Sequence, residues 1–263
     1  MSLDDLARTP RLLVALDFDG TLSPLVDQPM TARMTAEAAE AIDALLAAPD
    51  TTVALVSGRT LDDLRVIAEH DDASALVLAG SHGAQWWFPG GGDAPGDAGA
   101  ESDHDAIALR DELRLEAELA AAEAEGAWIE AKEFGFAVHT RLAVPDEAER
   151  VHARIADLMS ARAPHWRHRT GHSLTEYAFR AEGKDSAVAA LRERVGATGV
   201  LFAGDDVTDE DALRSLLPGD VGIRVGEGET AAGMRVRDIS ELAAVLLRLA
   251  HQRAPGFKSS ERQ

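Results

Sequence analysis

The sequence predicts an α/β protein, a doubly wound parallel-sheet core interrupted by an inserted α+β unit. Near both ends of the chain, short leucine- and valine-rich runs alternate with helical stretches, the pattern of a parallel sheet covered on both faces. The middle reads differently, as two helix–hairpin units in succession. Between the two patterns lies Pro89–Gly99, a stretch rich in Gly, Pro and Asp that reads as a linker. With 263 residues, the chain can bury a proper core and still hold a second, smaller domain.

In order, Leu12–Phe18 reads as a strand and Met34–Ala48, rich in Ala, as a helix. Thr52–Val56 is a strand before a helix at Leu61–Glu69, and Ala75–Ala79 leads into Gly80-Ser81-His82-Gly83. The insert begins with a long charged helix, about Asp105–Glu125. A hairpin over Trp128–Leu142 turns near Phe134-Gly135, and a helix (Pro145–Arg162) and a second hairpin (Trp166–Phe179) follow. The first pattern then resumes: helix Lys184–Val195, strand Gly199–Ala203, helix Asp209–Leu217, strand Val221–Val225 and helix Ser240–Ala250. These boundaries assign residues 1–103 and 181–263 to the core and 104–180 to the insert.

Charge and composition remove several classes. A formal charge of -20 argues against nucleic acid, which calls for a basic footprint. It also means that an anionic substrate needs a local positive pocket. There are no cysteines, hence no disulfide or thiolate metal site. The opening Met1-Ser2-Leu3-Asp4-Asp5 lacks the basic and apolar regions of a signal peptide, and no apolar run reaches membrane-spanning length. The expectation is a cytoplasmic monomer with no nucleic-acid or membrane partner. Arg has nearly displaced Lys: of 26 basic residues only three are Lys, at 132, 184 and 258. A compact ammonium is hard to replace by a planar fork in a tight phosphate site, so Lys132 and Lys184 stand out, whereas Lys258 lies in a polar tail.

Two predicted strands end in carboxylates. Leu12–Leu16 runs into Asp17-Phe18-Asp19-Gly20-Thr21, and Val200–Ala203 into Gly204-Asp205-Asp206-Val207-Thr208-Asp209. Ligands of open α/β sheets bind at the carboxyl ends of the strands. Carboxylates gathered there repel one another unless a cation and positive side chains neutralise them. Hard oxygen donors suit Mg2+, with Asp17, the Asp19 carbonyl and Asp205 as ligands and Asp209 holding waters. Gly20 permits the tight turn, Asp17 can aim at a phosphorus atom, and Asp19 keeps its side chain for proton transfer. Singly, an Asp-x-Asp is as readily a capped turn, and acids at a helix start suit its dipole. The buried strand before each acidic run favours the metal site. Ser57-Gly58-Arg59 closes the second strand and opens a helix, which makes either a plain N-cap or an anion site. His82 has a turn or core role as its simplest account.

In this order the four segments resemble the haloacid-dehalogenase-like phosphatases, and most closely the trehalose-6-phosphate phosphatases. Asp17 through Pro29 is similar to the opening motif of that family, and Val56–Arg59, Ala79–Gly83 and Gly204–Asp211 match it too. The insert carries Lys132, then Val138-His139-Thr140-Arg141, similar to the family's cap segment, and Glu176 and Lys184 keep its spacing. Ala178-Phe179, Asp185 and Gln85 depart from the pattern, where Arg-Pro, Gly and Glu are common. The resemblance implies a Rossmann-like core with an α+β cap, and Mg2+ as cofactor. It also implies Asp17 as nucleophile, Asp19 as general acid/base, Ser57 and Lys184 on the phosphate, and Asp205 and Asp209 at the metal.

Alternation within the insert puts Phe136, Val138 and Thr140 on one face of its sheet and His139 and Arg141 on the other. Lys132 and Glu176 are expected on that polar side, which suits a sugar with many hydroxyls. With Gly58 and Arg59 they are the candidate substrate-binding residues. The expected reaction is hydrolysis of trehalose 6-phosphate to trehalose and phosphate through an aspartyl-phosphate. The alternatives are a phosphatase of another sugar phosphate (sucrose phosphate or a glycosylglycerate phosphate), a non-catalytic sugar-phosphate sensor, and a phosphomutase.

Overall fold

A strand that is apolar at every position needs cover on both faces, because successive side chains point opposite ways. The computed structural model, which describes residues 2–92, 104–171, 173–180 and 182–254, supplies that cover with helices on both sides. The chain divides into two compact units, Met1–Pro95 with Glu182–Gln263, and Gly96–Ala181.

The first unit starts with α1 (Leu3–Leu6), β1 (Leu12–Leu16), α2 (Ala36–Leu46), β2 (Thr51–Val56), α3 (Leu61–Ile67), β3 (Val77–Gly80) and β4 (Gln85–Trp87). The second unit holds α4 (His104–Ala121), β5 (Trp128–Lys132), β6 (Gly135–His139), α5 (Pro145–Arg162), β7 (Arg167–Gly171) and β8 (Leu174–Ala178). The first unit resumes with α6 (Lys184–Val195), β9 (Gly199–Gly204), α7 (Glu210–Ser215), β10 (Val221–Val225), β11 (Met234–Val236) and α8 (Ile239–Arg253). Among the described residues, no helix is long and apolar enough to cross a membrane.

The seven strands of the first unit lie in the order β11-β10-β9-β1-β2-β3-β4. Leu12, Val14 and Leu16 of β1 face a cluster completed by Leu6, Ile42, Leu45, Leu64, Leu246 and Leu249 from α1, α2, α3 and α8. Leu13 and Ala15 face the opposite one, with Val188 and Leu191 of α6 and Leu213 of α7. The sheet is therefore wound on both sides.

Its far edge departs from the all-parallel expectation, because β4 pairs antiparallel with β3, Ala79 opposite Trp86. The link between them is one 3-10 turn, Ser81–Gly83, and a connection that short cannot make a parallel crossover. Three-residue strands such as β4 and β11 are too brief for alternation to reveal. The helix expected at Asp209–Leu217 is α7 alone, preceded by a 3-10 turn at Val207–Asp209. Pro218 disfavours helical geometry at the residue before it and ends α7 early. The long helix of the insert likewise stops at Ala121 instead of near Glu125, and Gly126 turns the chain at positive φ.

The second unit is a four-stranded antiparallel sheet, β5-β6-β8-β7, backed by α4 and α5. Phe136, Val138 and Tyr177 pack against Leu113, Ala117, Val151, Ile155 and Met159. Most of the expected Pro89–Gly99 linker, from residue 93 on, lies outside the described residues, as does Lys258.

Candidate active site

β1 pairs in parallel with β2 on one side and β9 on the other, so Leu16 stands opposite both Leu55 and Ala203. The chain leaves β1 toward β2 and β3 and returns on the other flank as β9, β10 and β11. The strand order thus reverses at β1, where such sheets open a crevice at their carboxyl ends. Asp17, Ser57 and Asp205 each directly follow one of these three strands.

Lys184, the first residue of α6, is 3% exposed, and its ammonium lies between two carboxylates. Its Nζ donates to Asp17 Oδ1 at 2.6 Å and to Asp209 Oδ1 at 2.6 Å. The other Asp209 oxygen accepts the backbone N–H groups of Asp205 at 3.1 Å and Asp206 at 3.0 Å. The Thr21 hydroxyl sits between Asp17 Oδ2 at 3.2 Å and Asp205 Oδ1 at 3.3 Å. Carboxylate oxygens of Asp17, Asp205 and Asp209 all lie within 4.8 Å of one another.

The electrostatics follow from this crowding. Burial raises the Asp17 carboxyl well above the usual range, and Asp209 and Asp205 add to that against the pull of Lys184. Asp205 is pushed up to about 6 by burial and by Asp209. Burial opposes the Lys184 ammonium, but Asp17 and Asp209 outweigh it and hold the proton more firmly than on an ordinary lysine. One ammonium thus serves three carboxylates, and the excess negative charge suits a divalent cation. The donors are all oxygen, as Mg2+ prefers. The backbone makes room for them: a Cβ on Gly20, whose φ is +78°, would overlap the Asp205 carboxylate, and one on Gly204 that of Asp209.

Asp19 lies outside this trio. Its carboxylate accepts a two-pronged bond from Arg59, Nε to Oδ2 at 2.8 Å and Nη2 to Oδ1 at 2.7 Å. Arg59, named from the sequence as a substrate ligand, is engaged with the expected acid/base. Ser57 is buried, and its Oγ accepts the Arg59 N–H at 3.1 Å.

His82 acquires a definite role in the Ser57–Arg59 loop. Its N–H donates to the Ser57 carbonyl at 2.9 Å, and that of Ser81 to the Arg59 carbonyl at 2.6 Å. Its ring covers Gly58, where a Cβ would stand 2.9 Å from the imidazole. Ser81 and His82 hold φ of 48° and 58°, a left-handed pair that non-glycine residues adopt at a cost of about 1–3 kcal/mol each. Gln85 Oε1 accepts the Leu61 N–H at 2.8 Å and so caps the start of α3. Only backbone geometry reveals these contacts. Thr21 was within reach of sequence reasoning, since it falls four residues after Asp17 in the same turn.

The remaining candidates lie in the second unit. Glu130 accepts from Lys132 Nζ at 2.7 Å and meets His139 Nε2 at 2.8 Å. Burial works to raise the Glu130 carboxyl, but the bonds from His139 and Lys132 outweigh it and hold it at about 2. The His139 ring stacks on Trp128 with centroids 4.6 Å apart, and the Arg141 guanidinium lies 5.5 Å from the Trp128 centroid. Glu176 stands opposite Ala137 in the strand register, which places it on the same face as Glu130. Glu130 and Trp128 organise this group, though neither is among the residues named from the sequence as substrate ligands.

An α/β sheet with Asp17, Ser57 and Asp205 at its central strand ends, Lys184 among the carboxylates and an α+β unit inserted between its halves defines a haloacid-dehalogenase-like fold. The C-terminal domain of Candida albicans trehalose-6-phosphate phosphatase shares it, with a TM-score of 0.78, 20% identity and 95% of each chain covered. The trehalose-phosphatase family model matches residues 15–238, and the chain belongs to that family. It is 31% identical over 260 residues to the trehalose-phosphate phosphatase of Mycobacterium marinum, covering 92% of this chain and 62% of that one. It is also 36% identical over 231 residues to an uncharacterised glycosyl hydrolase of Mycobacterium tuberculosis, covering 83% of this chain and 16% of that protein. The chain thus spans less than two thirds of the length of either relative.

Proposed function

We propose that the chain is a Mg2+-dependent phosphatase that hydrolyses trehalose 6-phosphate to trehalose and phosphate. The observation that carries the chemistry is the Lys184 ammonium held between Asp17 and Asp209, with Asp205 close by. Family membership and the name of the M. marinum relative support the substrate.

Asp17, Asp205 and the Asp19 carbonyl would hold the metal, with Asp209 orienting the loop and its waters. Mg2+ when bound supplies positive charge to the phosphate oxygens and the carboxylates. An Asp17 oxygen attacks phosphorus in line, the bond from phosphorus to the sugar oxygen breaks, and that oxygen takes a proton from Asp19. Water then attacks the phosphorus of the aspartyl-phosphate and gives a proton to Asp19. The bond to Asp17 breaks and phosphate leaves. Ser57, Lys184, the Gly58 N–H and the Arg59 guanidinium hold the phosphate oxygens. Arg59 has a second task in this scheme: an arriving phosphate competes for its guanidinium and releases Asp19 for proton transfer. Residues 1–103 and 181–263 act as the catalytic core, and 104–180 as a cap that selects the sugar. The reading extends to a cytoplasmic monomer acting on a small-molecule sugar phosphate.

The test is phosphate release from trehalose 6-phosphate, sucrose phosphate, glucose 6-phosphate and a glycosylglycerate phosphate, with Mg2+ and with chelator. Fastest release from trehalose 6-phosphate, abolished by chelation, is the expected result. Preference for another ester would shift the substrate, and no release from any would favour the sensor.

The polar face of the insert yields a selective prediction. Glu176→Ala is expected to lower activity on trehalose 6-phosphate roughly 10- to 100-fold, as an unpaired buried hydroxyl partner costs about 1–3 kcal/mol. Hydrolysis of p-nitrophenyl phosphate, which has no sugar, should change far less. Equal loss on both esters would remove Glu176 from sugar recognition.

The crowded carboxylates predict a pH dependence. The raised values of Asp17 and Asp205 mean that the folded protein keeps protons the unfolded chain has released, so Mg2+-free stability falls as pH rises. For Asp205 the window runs from about 4 to about 6, worth at most about 3 kcal/mol. Mg2+ takes the place of those protons. Calorimetry should show a larger Mg2+-induced rise in melting temperature at pH 7.5 than at pH 5.0; equal rises would contradict this account.

A further inference from the structure

Two charged side chains outside the catalytic group are buried beneath the acidic loop. Arg224 on β10 and Glu210 at the start of α7 are 9% and 4% exposed at the side chain, with Nη1 and Oε1 3.5 Å apart. Glu210 Oε2 accepts the Ala231 N–H at 2.8 Å. The hydrogen bonds of Arg224 go to backbone carbonyls of two loops. Nη1 donates to Asp206 at 2.9 Å, and Nε and Nη2 donate to Glu227 at 3.3 and 3.0 Å.

Asp206 is therefore gripped from both sides, its N–H by Asp209 Oδ2 and its carbonyl by Arg224. The segment needs such a grip. Asp205, Asp206, Asp209, Glu210 and Asp211 crowd five acids into seven residues, and like charges this close oppose one another. Asp205 itself is held at the side chain by the 3.3 Å bond from Thr21, a weak anchor for a metal ligand.

We propose that Arg224 is a positioning residue for the metal: by clamping the Asp206 carbonyl to the Glu227 loop it keeps the Asp205 carboxylate beside Asp17. This rests on the metal-dependent reading above. Arg224 makes no hydrogen bond to Asp17, Asp19, Ser57, Lys184 or the Asp205 side chain and acts through the backbone of the residue next to Asp205. A lysine could answer Glu210 but could not bond both loops, because the planar fork supplies the divergent donors.

The test is Mg2+ binding to the whole chain by calorimetry, with turnover as a function of Mg2+ alongside. Arg224→Lys is expected to weaken Mg2+ binding about 10- to 100-fold, the usual cost of removing a partner that orients a metal ligand. Turnover should recover as Mg2+ is raised. Glu210→Gln removes the ion pair and leaves the Asp206 bond, so it should lower the melting temperature without weakening Mg2+. Should Arg224→Lys fail to fold, Arg224→Met combined with Glu210→Gln removes both buried charges and should show the same loss of affinity. Wild-type Mg2+ affinity in Arg224→Lys would overturn the clamp and leave the phosphatase reading standing. Equal weakening by Glu210→Gln would also overturn it, since stability alone would then explain the effect. A wild-type chain that binds no Mg2+ would overturn the metal-dependent reading, and the clamp with it.

Discussion

Asp17→Asn is expected to abolish turnover, by roughly 10,000-fold or more, since losing a nucleophile leaves only binding and electrostatic contributions. The fold should survive. The amide oxygen can take the place of Oδ1 in front of Lys184, and the amide nitrogen can donate toward Thr21 or Asp205. The change also removes one of three crowded carboxylates, a relief that offsets part of the lost ion pair. Measured by phosphate release and by urea unfolding, the variant should be inactive with a stability within about 1–2 kcal/mol of wild type. Substantial residual turnover would exclude Asp17 as the nucleophile. An unfolded variant would show that the residue is indispensable to the structure.

Lys184→Met should be severe in both respects. The side chain is nearly the same size, so packing is kept, but Asp17 and Asp209 lose the ammonium that each bonds at 2.6 Å. Breaking a buried pair by removing one partner costs about 3–5 kcal/mol, and here two acids share the single cation. Activity should fall with it, because the phosphate and Asp17 lose the same positive charge. Saturating Mg2+ should restore part of the stability and little of the activity. Lys184→Arg is not a conservative rescue, as a planar fork does not fit the space of a compact ammonium. Activity near wild type in Lys184→Met would remove this residue from the chemistry.

Much of the fold was legible because it rests on local patterns. The helices Lys184–Val195 and Pro145–Arg162 and the strand Val221–Val225 begin and end where the sequence reading placed them. In each, apolar spacing and the flanking residues agree. The antiparallel turn into β4 was not legible, because it depends on Ser81 and His82 taking left-handed φ that neither residue prefers. The clamp by Arg224 was invisible for a related reason: an arginine inside an apolar strand looks like any other until its carbonyl partners are in place.

The acidic runs after two buried strands, and the scarcity of lysine around Lys184, were enough to indicate carboxylates gathered for phosphate chemistry. Residue type and strand pattern are properties of the chain itself, so they needed no coordinates. Which carboxylate faces which cation is a matter of a few ångströms between segments far apart in sequence. Packing alone decided that Lys184 stands between Asp17 and Asp209, that Arg59 holds Asp19, and that His82 lies over Gly58. These contacts set the charge balance of the site, because burial makes each unpaired charge costly and each pairing a choice between nearby partners.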